Sequence, residues 1–166
     1  MASSRLSQGG KSVVAVEIPP KTLKRQLVRN RLYDRLCETN ECKVCPNGRD
    51  SDCMRSGTIY LISCEACGDE YIGETGRPLC IRVKEHLTGK RNYDPKTPIG
   101  THREQKHNGA DFDVKVTVLA QESKTSTRKT LEAFWIHSKG PKMNRKEECL
   151  VITGDLAPYL RLIFPT

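Results

Sequence analysis

Aromatic residues are scarce in this chain: five Tyr, three Phe and one Trp among 166 residues. That excludes a large aromatic core. A modest one is expected, with Trp135, Phe112 and Phe134 supplying much of it. Long apolar runs are missing as well. No stretch is long enough to span a bilayer, and the run from Val13 to Val16 is too short for the core of a secretory signal. The chain is therefore expected to be intracellular and off the membrane, with its thiols reduced. Acidic residues are outnumbered, 20 against 28 Lys and Arg, for a net charge of +8. This balance points to an acidic partner, nucleic acid ahead of an anionic membrane surface. The plainer alternative is a basic, merely soluble surface.

Cysteine is abundant by contrast, at positions 37, 42, 45, 53, 64, 67, 80 and 149. In a reducing compartment, clustered cysteines usually bind metal. Cys42/Cys45 and Cys64/Cys67 are two Cys-x-x-Cys pairs, a spacing that lets both thiolates reach one tetrahedral ion. Gly68 after Cys67 permits the left-handed backbone that such a turn needs. Zinc suits thiolate and imidazole donors. Two groupings are open. Cys42, Cys45, Cys64 and Cys67 can close one site. Alternatively Cys37, Cys42, Cys45 and Cys53 form a local site, and Cys64 and Cys67 are joined by His102 and His107 from a loop. Disulfides are the third reading, disfavoured by the N-terminus. Cys80 and Cys149 read as ordinary thiols.

Along the chain, residues 1–20 mix Ser, Gly and Pro and read as a flexible tail or linker. Residues 21–36 read as a helix with Leu23, Leu27, Val28, Leu32 and Leu36 on one face. Its other face carries Lys21, Lys24, Arg25, Arg29, Arg31 and Arg35 against one acid, Asp34. Such a run is commonly a solvated face. The overall charge favours phosphate contact instead, through Lys21, Lys24, Arg25, Arg29 and Arg31. A Cys-rich, metal-binding segment follows over 37–56. Thr58 to Ser63 and Glu70 to Gly73 read as strands, joined as a hairpin by "CEACGD". Residues 77–87 read as a helix with Thr75 as cap, Pro78 in the first turn and a Leu79, Val83, Leu87 stripe. Residues 89–110 read as loop and 112–120 as a strand. A second helix is expected over 126–138, with Leu131, Phe134, Trp135 and Ser138 on one face and Gly140-Pro141 as its stop. A tail with one short helix before Pro158 fills 147–166. There is no internal repeat.

The strands ending in "TIY" and "YIG" resemble those of the GIY-YIG nuclease family. Arg82 and His86 in the next helix, Glu132 in a later one and Asn144 in "PKMNR" follow in the family's order. The resemblance covers residues 57–146. The first motif departs from the family only in reading G-T-I-Y, which leaves its tyrosine in place. A Cys pair between the two motifs and a His pair downstream look like the endonuclease domain of Penelope-like retroelements, where both pairs share one zinc. The resemblance implies an α/β (α+β) fold: a small antiparallel three-stranded sheet flanked by helices, its hairpin stapled by zinc. It implies a metal-dependent DNA endonuclease that nicks target DNA to prime integration. DNA and a reverse transcriptase in the same polyprotein are the implied partners. No small-molecule substrate is expected, and the expected place of action is intracellular, in the nucleus.

The residue types suit that chemistry. Hydrolysis of a phosphodiester needs an activated water and a clamp on the phosphate. Tyr60 is expected to act as the base or to orient the water, with Tyr71 beside it. A free Tyr has a pKa near 10, so base action needs nearby positive charge. Arg82 supplies that charge and a planar fork for phosphate. His86, one turn on, relays the proton or contacts phosphate. Glu132 offers a carboxylate to Mg²⁺ or Mn²⁺, and Asn144 orients the site. Taken singly, each residue is more simply packing or solvated surface; the set in this order is what carries the reading. The alternative is a zinc-stabilised nucleic-acid binding module without catalytic activity.

The basic segment yields the first prediction. Replacing Arg25, Arg29 and Arg31 by Gln weakens DNA binding across sequences. Each lost phosphate contact reduces the log–log salt slope by about 0.9 in a binding titration. An unchanged slope returns the segment to a solvated face.

Overall fold

In the computed structural model, residues 41–145 are described, with Cys37, Thr39, 6–8, 11–13, 152, 156 and 158–160. The basic helix expected over 21–36, Cys149 and the helix expected before Pro158 lie outside the described residues; residues 158–160 are helical. The chain divides into two units, Met1–Arg31 and Leu32–Thr166. In the first, β1 (Leu6–Gln8) pairs antiparallel with β2 (Lys11–Val13), where the sequence reads as linker. Gly9-Gly10 between them is a dipeptide suited to a hairpin.

The second unit is built on period-two alternation. Strand β3 (Thr58–Cys64) pairs antiparallel with β4 (Glu70–Thr75) and with β5 (Val114–Gln121), in the order β4-β3-β5. Both ladders are antiparallel, and helices flank the sheet, so the architecture is the expected α+β one. Tyr60, Ile62 and Cys64 point to one face of β3; Ile59 and Leu61 point to the other. Against the first face pack Leu79 and Val83 of α1 (Leu79–Arg91) and Ile99 of α2 (Pro98–His107). Against the second face pack Leu131, Trp135 and Ile136 of α3 (Thr125–Lys139).

The core is more aliphatic than the sequence suggests. Tyr60 is its one fully buried aromatic among the described residues, beside Ile59, Ile62, Ile72, Leu79 and Ile99. Phe112 and Phe134 are buried as expected, but Trp135 is only partly covered. Ser138, expected on the packed face of α3, is exposed with the rest of that helix's last turn.

The region read as loop over 89–110 is largely helical. Helix α1 runs on to Arg91, and α2 occupies Pro98–His107. Thr97 caps α2 by accepting the Gly100 N–H at 3.2 Å, and Pro98 opens it. Asn108 ends it in the left-handed region, φ 50°. Ile99 is its only large apolar residue, so no apolar stripe marks the helix in sequence. Pro78, not Thr75, holds the cap position of α1. Thr75 instead bonds the backbone of Arg77, and the first helical N–H, Leu79, donates to Arg55 O at 2.9 Å. Among the described residues no helix is long and apolar enough to cross a membrane.

At the outer edge of β4, Met143 N–H donates to Glu70 O at 3.0 Å, and the Asn144 side chain bonds the strand further along. Asn144 Nδ2 donates to Ile72 O at 2.7 Å, and Asn144 Oδ1 accepts Ile72 N–H at 2.8 Å. Ile72 is fully buried between Tyr71 and Gly73. Asn144→Ala should therefore cost about 1–3 kcal/mol in a denaturant titration, since it strands buried backbone groups. A cost near zero would show that water replaces the amide.

Candidate active site and metal centres

Antiparallel register brings the two tyrosine motifs together. Tyr60 on β3 faces Gly73 on β4, and Ile62 faces Tyr71. A Cβ on Gly73 would lie 2.7 Å from the Tyr60 hydroxyl and 2.9 Å from Tyr71 Cε1. Only glycine leaves room for the two rings to meet there, which gives the last residue of "YIG" a physical reason. On β5 the register slips between the partners of Ile59 and Tyr60, so a bulge lies opposite Tyr60.

Helix α1 delivers the other two groups, one turn apart. His86 Nε2 lies 2.8 Å from the Tyr60 hydroxyl. Arg82 Nε donates to the same oxygen at 3.3 Å. The His86 ring meets Tyr71 edge-on, 5.1 Å between centroids. Burial holds the His86 imidazole down at about 4, and Arg82 adds to this. His86 is therefore neutral at neutral pH and can accept a proton through Nε2. Burial also pushes the Tyr60 phenol well above its ordinary range, Tyr71 adds to it, and Arg82 only partly offsets the rise. Tyr60 is thus a phenol in the free protein. The expectation that Arg82 makes it a ready base is revised: burial outweighs the guanidinium.

Glu132 on α3 lies within electrostatic reach of both Tyr60 and Arg82. Burial pushes its carboxyl up to about 7, and the charge of Glu74 adds to this. Glu74 itself is ion-paired with the buried Arg128. Half-buried and repelled by a second carboxylate, Glu132 keeps its proton to higher pH than a free carboxyl does. Asn144 grips the backbone of Ile72, the middle residue of "YIG", and not the Tyr60 hydroxyl.

The cysteines resolve into two quartets placed to hold metal. In the first, Cys64 and Cys67 meet His102 and His107, and in the second Cys37, Cys42, Cys45 and Cys53 converge. Within each quartet the donor atoms lie within 4.8 Å of one another. This is the two-site grouping. The single site from Cys42, Cys45, Cys64 and Cys67 is not formed, and all seven described cysteines are free thiols. The histidines come from α2 rather than from a loop, because that stretch is helical.

The first quartet fits a tetrahedral ion in detail. Cys64 Sγ is 3.4 Å from His107 Nε2, Cys67 Sγ is 3.4 Å from His102 Nε2, and the two nitrogens are 3.2 Å apart. Tetrahedral bonds of zinc length place S and N about 3.6 Å apart and two N about 3.3 Å apart. Gly68 takes φ 74°, as the turn requires. Asp69 Oδ2 lies 3.9 Å from His102 Nδ1, so Nε2 is turned toward the thiols. Lys142 in turn pairs with Asp69 at 3.1 Å. Sequence reasoning missed Asp69, although an acid two residues past Cys67 is a visible signal. In the second quartet the Thr39 backbone draws Cys37 down to about 7, while burial pushes Cys53 far up. A bound cation draws coordinating thiols to thiolate. Cys80 stands outside both quartets, against Met54.

Comparison with protein-family models, curated proteins and solved structures finds no match to this chain. Its function is therefore argued from the site.

The quartets predict separable metal loss. By native mass spectrometry, Cys64→Ser and His102→Ala each remove the ion of the first quartet and lower thermal stability. Cys42→Ser removes only the other. A single ion lost from both Cys42→Ser and Cys64→Ser but kept by His102→Ala would restore the single-site grouping.

Proposed function

We propose that the chain is a metal-dependent DNA endonuclease of the GIY-YIG type that hydrolyses a phosphodiester bond. One observation carries this reading: the Tyr60 hydroxyl is held between a neutral His86 at 2.8 Å and the Arg82 guanidinium at 3.3 Å. These are the parts of a proton relay beside an anion clamp. As water attacks phosphorus, its proton passes to Tyr60 Oη and the Tyr60 proton passes to His86 Nε2, while the P–O bond to the leaving sugar oxygen breaks and that oxygen takes a proton from solvent. The phenol need not ionise beforehand, which suits its burial. Arg82 neutralises the charge gathering on the phosphate. Tyr71 packs against His86 and fixes its plane.

Glu132 is the proposed holder of Mg²⁺ or Mn²⁺, supported by its raised pKa beside Glu74. Such an ion supplies charge neutralisation at the phosphate when bound. The two quartets are proposed as structural zinc sites, because thiolate and imidazole donors closing four positions leave none for substrate. A single Tyr60 site implies nicking of one strand at a time. The sequence resemblance extends the reading to priming of retroelement integration, alongside a reverse transcriptase, in the nucleus. Full burial of Tyr60 favours the second reading, a binding module that does not cleave.

A supercoiled-plasmid assay with Mg²⁺ separates the two. Tyr60→Phe and Glu132→Ala should each reduce nicking at least about a hundredfold, the scale of losing one general base. Metal content of the quartets and DNA affinity should stay near wild type. Mild chelation should stop cleavage, and Mg²⁺ alone should restore it. Nicking by both variants at the wild-type rate would remove these residues from the mechanism.

A further inference from the structure

The turn after β4 carries an arginine that the relay does not use. Thr75, itself buried, accepts the Arg77 N–H at 3.1 Å and donates to the Arg77 carbonyl at 3.3 Å. This turn aims Arg77 at Glu85, the residue before His86 on α1. Arg77 Nη2 lies 2.8 Å from Glu85 Oε1 and 3.0 Å from Oε2. Arg82 Nη1 holds the same carboxylate at 3.0 Å, while its Nε donates to Tyr60. One carboxylate therefore sits between two guanidiniums at the rim of the candidate site.

Stability does not account for this arrangement. The Arg77, Arg82 and Glu85 side chains are 58%, 36% and 40% accessible, and ion pairs this exposed contribute little. The geometry has another use. A guanidinium fork binds phosphate oxygens as it binds carboxylate oxygens, in the same planar pattern. Arg82 is already the phosphate clamp of the proposed mechanism, and Arg77 shares its anion.

We propose that Glu85 is an internal stand-in for a DNA phosphate. In the free protein it occupies the fork between Arg77 and Arg82. A phosphodiester of the bound strand displaces it, and Arg77 becomes a second phosphate contact beside Arg82. The exchange swaps one anion for another, so neither guanidinium is left unpaired at any stage. It also frees Arg82, now bonded to both Glu85 and Tyr60, to follow the phosphate. The identity of the ligand rests on the nuclease reading; the anion-exchange fork rests on the contacts themselves.

The test is equilibrium binding of a short DNA duplex to the full chain across a salt series, without added divalent metal so that nothing is cleaved. Glu85→Gln should tighten binding about two- to fivefold, the scale of one exposed ion pair removed as competitor. Arg77→Gln should weaken binding and lower the log–log salt slope by about 0.9. Circular dichroism and metal content of both variants should match the wild type, and if Glu85→Gln misfolds, the Arg77→Gln slope decides alone. Unchanged or weaker binding by a folded Glu85→Gln, or an unchanged slope for Arg77→Gln, overturns the proposal while leaving the nuclease reading standing. A wild-type chain that does not bind the duplex overturns both.

Discussion

The close approach of the Tyr60 ring to the Gly73 backbone is the contact on which the rest of the site depends. Strand pairing fixes it, since Tyr60 and Gly73 are direct partners. A side chain at 73 would fill the space that the hydroxyl occupies. A slip of one residue would turn Tyr60 to the α3 face and away from His86. Register is therefore the first requirement of the site, and several devices hold it. Asn144 grips Ile72 from the open edge of β4. The metal quartet closes the hairpin at its turn. Each acts within a few residues of the Tyr60–Gly73 pair.

A core with so few aromatics needs such devices. The two quartets are also tied to each other. Asp113, just before β5, accepts the Glu65 N–H through its carbonyl at 3.0 Å. Its carboxylate pairs with Lys43 Nζ at 2.9 Å. Glu65 lies between Cys64 and Cys67, and Lys43 lies between Cys42 and Cys45. Lys43 O also accepts the Val116 N–H at 3.1 Å, which fastens the Cys-rich segment to β5. Phe112, next to Asp113, packs its ring against both His102 and His107. One short segment thus braces both metal knuckles, and through them the sheet edge beside Tyr60.

How much of this was legible in sequence depended on the range of the interaction. Strands β3, β4 and β5 and helix α3 were legible because alternation and the apolar stripe are local patterns; β1 and β2, three residues each, were not. The glycine after Cys67 was legible for the same reason. Helix α2 was not, because its one apolar anchor, Ile99, leaves no stripe. Its end signals, Thr97-Pro98 and Asn108-Gly109, were nonetheless present in the chain. Two cysteine groupings stayed open because spacing cannot say which turns meet. The Arg77–Glu85–Arg82 fork and the Asp113 brace were invisible, since both arise only when separate elements are brought together. Tyr60 burial was likewise a tertiary fact, and it keeps the phenol protonated despite the neighbouring Arg82.

The two strongly shifted groups near Tyr60 place opposite demands on pH. His86 is held down at about 4. As pH falls below its ordinary range, the unfolded chain takes up a proton that the folded chain refuses, and stability is lost through that window. Glu132 is raised to about 7. As pH rises from the ordinary carboxylate range to 7, the unfolded chain releases a proton that the folded chain keeps, and stability is lost there too. Each penalty is on the order of 3 kcal/mol at most. Between the two ordinary values both operate, and no pH removes both. At neutral pH the His86 penalty has gone and the Glu132 penalty is nearly complete. A cation held by Glu132, as proposed, would relieve the remaining one without touching the neutral His86 imidazole. The destabilisation left at neutral pH therefore falls on Glu132, the carboxylate proposed to hold metal.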